Sequence, residues 1–386
     1  MIKRVFLLVM DSFGIGHARD ASAFGDEGAH TLASVSATEG FSAPNLTRLG
    51  LFHIDGTPAP AGDVTPVGAY ARLGEQSNGK DSTIGHWEIA GIRSDVALPT
   101  FPNGFPEEFL REYEKRTGRG VLCNLPYSGT DVIRDYGREH VETGKLIVYT
   151  SVDSVFQIAA HEDIVSVPEL YRYCEIAREM LTGDLCVGRV IARPFTGEWP
   201  YTRTAHRHDY SAVPPKDTFL DLLKGAGLDT IAVGKIVDLY AGIGITDSYR
   251  SKSNDDGMRI SSELQEKDFH GLCFVNFVDF DTAYGHRRDA KAYAEAVMKF
   301  DTWLGTFMEN MRDEDVLMIT ADHGCDPNFR GTDHTRENVP LLVYGKEIKA
   351  GGIGYRESFS DIAATVCEMF GVPYGLNGES MLSKLK

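Results

Sequence analysis

The chain has 386 residues, and 39 Lys and Arg against 56 Asp and Glu leave a formal net charge of −17 with histidines neutral. The 42% share of hydrophobic residues is that of a globular protein with material for two or three domains, which argues against a disordered chain. The acidity argues against a protein whose main task is neutralising nucleic-acid phosphates or an anionic membrane.

From the N-terminus, residues 5–10 form a short apolar run ending at Asp11. It is too short to cross a bilayer, or to be the apolar part of a signal peptide despite Lys3 and Arg4 before it. The expectation is a cytoplasmic protein with neither a nucleic-acid nor a membrane partner. Gly14-Ile15-Gly16 follows this run and imitates a dinucleotide loop, but Arg19 stands where the third, packing glycine is needed. Gly74, Gly79 and Lys80 imitate a phosphate loop, but Asp81 replaces the hydroxyl that would meet magnesium. Turn signals at Pro99, Pro102-Asn103-Gly104 and Pro126, and prolines at 194, 200, 214 and 215, frame a middle stretch that reads as an inserted domain. The predicted division is a discontinuous core, 1–97 and 215–386, around an insert at 98–214. Buried-strand runs continue at 231–233, 272–278, 316–320 and 341–344, separated by helical patterns at about 217–224, 290–311 and 360–370. In the second of these, Val297, Phe300, Leu304, Phe307, Met308 and Met311 recur at spacings of three and four, marking one buried face. Strands alternating with helices predict an α/β architecture. Cys123, Cys174, Cys186, Cys273, Cys325 and Cys367 include no CxxC pair, so neither a disulfide framework nor a thiolate zinc site is indicated.

Chemistry-bearing residues sit just after the apolar runs. Asp11 follows 5–10; Asp279, Asp281 and His286 follow 272–278; Asp322 and His323 follow 316–320, with His334 eleven residues on. In open α/β sheets, ligands bind beyond the carboxyl ends of the strands, so these groups are expected to converge. Each alone has an ordinary explanation as a cap or a satisfied polar residue. Together, so many carboxylates need neutralising cations, and an oxygen–imidazole donor set without thiolates suits Mn²⁺, Mg²⁺, Zn²⁺ or Fe. The stretch from Asn78 to Glu88 adds Ser82 and Thr83 in a Gly-flanked loop able to open a helix. Two metals could activate one of these hydroxyls towards a phosphoryl group, and residue chemistry does not choose between them. Between 188 and 216, Arg189, Arg193, Arg203, Arg207 and Lys216 outnumber Glu198 and Asp209. This is either a solvated basic face or a grip on a phosphate.

Five motifs taken together resemble the phosphopentomutase family, a branch of the alkaline phosphatase superfamily, over essentially the whole chain. They are Asp11-Ser12-Phe13-Gly14, the run from Gly79 to Glu88, Asp279-Phe280-Asp281 with Gly285-His286, Thr320-Ala321-Asp322-His323-Gly324 and Asp333-His334-Thr335. The resemblance implies an alkaline-phosphatase-like core, with a central, largely parallel sheet covered by helices, and an inserted smaller α/β cap domain. It implies Thr83 as the phosphorylated nucleophile. It places Asp11, Thr83, Asp322 and His323 around one metal and Asp281, His286 and His334 around the other, with two Mn²⁺ the usual ions and Asp279 outside the ligand set. Asp153, Arg193, Arg207 and Lys235 are implied substrate contacts, with Arg203, His206 and His208 as neighbouring candidates. The implied reaction interconverts α-D-ribose 1-phosphate, or the 2-deoxy sugar, and the 5-phosphate through a phosphothreonine and a 1,5-bisphosphate. A sugar bisphosphate such as glucose 1,6-bisphosphate is implied as activator. The expected partner is a phosphopentose, and the expected state a monomer. Alternatives are a metal-dependent phosphatase or phosphodiesterase on the same core, a relative acting on phosphoglycerate, and a metal-binding interaction protein without catalysis.

Overall fold

An apolar run with no polar face can only be covered on both sides. Residues 5–10 obey this: they lie in the first strand, β1 (Arg4–Met10), in which every residue is buried. In the computed structural model, which describes residues 2–58, 63–151 and 154–386, the chain divides into two compact units, Met1–Ala97 with Pro214–Lys386, and Leu98–Val213. After β1 comes β2 (Ala69–Leu73). The smaller unit contributes β3 (Val121–Pro126), β4 (Leu146–Thr150), β5 (Val155–His161), β6 (Arg189–Thr196), β7 (Thr202–Arg203) and β8 (His208–Ser211). The larger unit resumes with β9 (Asp229–Val233), β10 (Asp247–Tyr249), β11 (Gly271–Phe277), β12 (Asp315–Thr320), β13 (Val339–Gly345) and β14 (Gly351–Arg356).

The larger unit holds one sheet in the order β10-β9-β11-β1-β12-β13-β2-β14. Only β13 runs against its neighbours, pairing antiparallel with both β12 and β2, while every other pairing is parallel. The 341–344 run, expected beside parallel strands, is thus the reversed one. The chain leaves β12 at the sheet's carboxyl edge and stays at that edge through the loop 321–338. It re-enters with no helix to carry it back, so β13 must run the other way. Helices Phe219–Gly225, Ala290–Glu309 and Asp361–Met369 pack on the unit where the periodicity placed them.

The smaller unit is a separate mixed sheet, β3-β4-β5-β6-β7 with β8 on β6. It has its own core: Phe105, Phe109 and Tyr113 pack edge-on against Phe156 on one face, while Ile147, Tyr149 and Phe195 fill the other. Among the described residues, no helix is long and apolar enough to cross a membrane.

Candidate metal centre and nucleophile loop

β11, β1 and β12 are adjacent, parallel and in register, with Met10 opposite Phe277 and Val9 opposite Thr320. Residues following these strands therefore leave the sheet at one level. Asp11 extends β1, Asp281 lies on a π-helical turn, Phe280–Gly285, after β11, and Asp322 and His323 follow β12. The loop 321–338 returns His334 to the same place. His323 Nε2 lies 3.5 Å from Asp11 Oδ1 and 3.3 Å from Asp322 Oδ2. Asp281 stands between two rings, Oδ1 3.3 Å from His334 Nε2 and Oδ2 3.4 Å from His286 Nε2, and those two nitrogens are 3.1 Å apart.

Two triads place one donor atom from each member within 4.8 Å of the others: Asp281, His286 and His334, and Asp11, Asp281 and His323. Asp281 belongs to both. The family resemblance places it on one side only. Asp11 Oδ1, Asp281 Oδ1 and Asp322 Oδ2 are buried without an aligned hydrogen bond, a costly condition for carboxylates unless a cation answers it. The imidazoles are oriented to suit. His286 Nδ1 lies 2.7 Å from the Thr332 carbonyl and His323 Nδ1 3.1 Å from that of Gly324. A carbonyl only accepts, so each Nδ1 carries the proton and each Nε2 turns a lone pair to the cluster, the form that binds metal.

Charges within the cluster move its carboxyls in opposite directions. Burial and the Asp322 charge push the Asp11 carboxyl up, with Lys235 opposing. Burial would raise Asp281 too, but His334, His286 and His323 outweigh it and hold that carboxyl far below the usual range. Asp322 is held low against its burial by His323, His86 and the Ser12 N–H.

The hydroxyls sit at the start of helix Ser82–Ile89. Asp81 caps it, accepting from Thr83 N at 3.0 Å and Ile84 N at 3.1 Å. Thr83 is buried at 4% exposure, while Ser82 Oγ lies 3.2 Å from His323 Nε2. The helix presses directly on the β12 ligand turn, since a Cβ at Gly85 would lie 2.1 Å from the Asp322 carbonyl oxygen.

The remaining candidates fall in different places. Lys235 Nζ lies 3.4 Å from Asp11 Oδ2, within the carboxylate cluster. In the smaller unit, Arg193 donates to Gln157 Oε1 at 3.1 Å, and Arg207 grips both oxygens of Asp209 at 2.8 and 2.7 Å, with Arg189 3.6 Å away. Arg203 reaches Thr130 Oγ1 at 2.9 Å, His206 pairs with Glu162 at 2.9 Å, and His208 packs on Tyr210. Asp153 lies outside the described residues. Asp279 accepts from Asn254 N at 2.6 Å, fixing the start of helix Asn254–Glu266.

Both imitation loops have other duties. A Cβ at Gly14 or Gly324 would come within 2.4 Å of the Glu337 carboxylate, which accepts from Gly16 N, Thr31 N, Thr31 Oγ1 and Thr335 Oγ1. Lys80 pairs with Asp26 at 2.9 Å and Asp333 at 3.2 Å, and the Gly79 carbonyl accepts from Arg336. Sequence reasoning gave no role to His86, Asn276 or Glu88. Glu88 is fully buried and receives Gln76 N, Ser77 N, Ser358 Oγ and Phe359 N. A glutamate inside a hydroxyl-bearing motif was the available signal; its partners Ser358 and Phe359, 270 and 271 residues on, were not.

The metalloenzyme superfamily profile matches residues 3–374. A phosphopentomutase of Lachnoclostridium phytofermentans is 58% identical over 386 residues, 99% of this chain and 99% of the relative. One of Clostridium novyi is 51% identical over the whole of both. The chain belongs to the phosphopentomutase family. Membership in the phosphopentomutase family makes it an isomerase, an intramolecular phosphotransferase. Among solved structures, a phosphoglycerate mutase of Leishmania mexicana aligns with a TM-score of 0.51 at 13% identity, covering 98% of this chain and 97% of that one. That likeness concerns the fold alone, which is of the alkaline-phosphatase-like α/β class.

Proposed function

We propose that the chain interconverts α-D-ribose 1-phosphate, or its 2-deoxy counterpart, and the corresponding 5-phosphate, using a phosphothreonine at position 83 and a 1,5-bisphosphate intermediate. The observation that carries this reading is the pair of donor triads sharing Asp281, beside a buried, helix-opening Thr83. The unpartnered carboxylate oxygens and lone-pair-bearing imidazoles fit divalent cations. Asp11, Thr83, Asp322 and His323 would hold one and Asp281, His286 and His334 the other, with Asp281 placed within reach of both and Mn²⁺ the ion we assign. When bound, such ions stabilise charge on a transferring phosphoryl group.

The protein's own part is transfer and positioning. The free hydroxyl of a sugar monophosphate attacks the phosphorus on Thr83; the Thr83 Oγ–P bond breaks as the new O–P bond forms, and the hydroxyl's proton ends on the released Thr83 Oγ, which gives it up again in the return step. The bisphosphate turns, and Thr83 Oγ takes the other phosphoryl group while the released sugar oxygen regains a proton. Enzyme and proton count are restored, and the phosphate has changed ends. Arg193 and Arg207, with forked donors suited to a phosphate, hold the group that is not reacting, Lys235 contacts the substrate beside Asp11, and Asp153 accepts sugar hydroxyls. A sugar bisphosphate such as glucose 1,6-bisphosphate primes Thr83. A cytoplasmic, monomeric enzyme completes the proposal.

Incubating the Mn²⁺-loaded protein with ribose 5-phosphate and glucose 1,6-bisphosphate should yield ribose 1-phosphate, and peptide mapping should find phosphate on Thr83. Inorganic phosphate as the main product would make the protein a hydrolase. Thr83→Ala should abolish turnover and Ser82→Ala should not; full activity in Thr83→Ala sinks the covalent route.

A further inference from the structure

His86 is wholly buried in the helix that carries Thr83, and each of its polar atoms is directed at a site group. Its Nε2 lies 3.3 Å from Asn276 Nδ2, which also lies 2.9 Å from Asp11 Oδ2. The Asp11 carboxylate can only accept there, so it fixes the Asn276 amide with its NH₂ towards Asp11 and His86. His86 Nε2 must then accept, and the ring proton resides on Nδ1. That nitrogen gives its proton to the Ser82 carbonyl at 2.8 Å and lies 3.1 Å from Asp322 Oδ2, close enough for electrostatic attraction without an aligned hydrogen bond. Three strands and the nucleophile helix are thereby joined beneath the cluster: Asp11 of β1, Asn276 within β11, Asp322 after β12, and Ser82 beside Thr83. Tyr240 steadies the arrangement from the other side, donating to the His86 carbonyl at 2.5 Å.

We propose that His86 and Asn276 are positioning residues: a Nδ1-protonated imidazole and an amide that set the Asp11 and Asp322 carboxylates, and the turn bearing Thr83, at a fixed spacing. The proposal rests on the metal-centre reading given above. A core histidine kept only for its volume has no need of this proton placement, since its packing on Phe274, 5.9 Å between ring centroids, would survive in a phenylalanine. Groups that orient metal ligands typically cost 10–100-fold in metal affinity when removed.

The test measures Mn²⁺ uptake by equilibrium dialysis on folded wild type, His86→Phe, His86→Asn and Asn276→Leu. Wild type should take up two ions. His86→Phe should weaken the ion assigned to Asp11 and Asp322 about 10–100-fold and spare the other. His86→Asn, whose amide N–H falls where Nδ1–H was, should recover most of that loss. Asn276→Leu should weaken the same ion, and serves should His86→Phe fail to fold. Wild-type affinity in His86→Phe, equal weakening of both ions, or no recovery in His86→Asn overturns the proposal. Fewer than two ions on wild type would instead count against the metal reading on which it rests, so the two failures are distinct. A long-range ¹H–¹⁵N spectrum of the metal-free protein reads the tautomer without any ion, and a proton on His86 Nε2 would also overturn the proposal.

Discussion

Arg4 and Asp315 meet at the amino end of the sheet, opposite the metal centre, where each is only 1% exposed and the guanidinium holds both carboxylate oxygens at 2.7 Å. Arg4 also donates to the Gln265 and Lys267 carbonyls, tying β1 and β12 to the segment that leads into β11. Asp315→Leu leaves a buried guanidinium without its counter-charge and should cost about 3–5 kcal/mol. Adding Arg4→Met should restore much of that loss, read as the urea midpoint; a single variant as stable as wild type would show that the charge is not dry. A different residue gives the smaller unit a pH dependence. His140 donates Nδ1–H to the Lys145 carbonyl at 2.5 Å, and its Nε2 accepts from His161 N at 2.9 Å. Burial lowers its pKa, and a proton on Nε2 would break the second bond. The folded state thus binds fewer protons than the unfolded chain, so this contribution is complete above the ordinary histidine value of about 6.5 and declines as pH falls towards the folded value. The urea midpoint should drop between pH 7.5 and 5.5, and the drop should shrink in His140→Gln. An unchanged pH slope in that variant would clear His140 of the role.

Among the elements, helix Ser82–Ile89 shows how close approach sets function. Apart from Ser82 its residues are buried, so no apolar stripe marks it and its periodicity is silent. Alanine is the better helix former by about 1 kcal/mol, yet a Cβ at Gly85 meets backbone, the Asp322 carbonyl oxygen at 2.1 Å, which cannot swing aside. Gly85→Ala should therefore destabilise by about 1–3 kcal/mol and cut mutase activity at least tenfold, checked by thermal unfolding and by the yield of ribose 1-phosphate from ribose 5-phosphate. A stable, fully active variant would remove the need for that contact. What was legible beforehand follows the same logic. Runs 5–10 and 316–320 lie in β1 and β12, and 272–278 lies in β11 except for Val278, because strands covered on both faces must be largely apolar, and the groups directly beyond them, Asp11, Asp322 and His323, converge because parallel neighbours end at one level. The reversed direction of β13 was not legible, being decided by which edge the loop 321–338 occupies. Nor were the edge strands β10 and β14, whose short, half-exposed, Gly- and polar-rich segments carry no burial pattern. The position of Asp281 in both triads, and the bridge through His86 and Asn276, depend on contacts between residues far apart in the chain, 265 positions for Asn276 and Asp11, which no local spacing encodes.

For the whole molecule the charge balance matters more than any one contact. Three buried carboxylates within a few ångströms weigh against the fold unless cations join them, so ion binding and folding must be linked. Every ligand we assign lies in the unit formed by Met1–Ala97 and Pro214–Lys386, and none in Leu98–Val213. Free Mn²⁺ at one hundred times its dissociation constant should add about 2.7 kcal/mol per site to that unit. Scanning calorimetry with Mn²⁺ and with a chelator should thus show the larger unit's transition moving upward with metal. Asp281→Asn distinguishes this from a general salt effect: because Asp281 serves both triads, its loss should suppress most of the Mn²⁺-dependent shift, whereas Asp279→Asn, outside both, should leave the shift intact. Equal metal responses in the two variants would mean that the ions act elsewhere on this acidic surface, and the reading of the strand-end aspartates as a metal centre would fail with them.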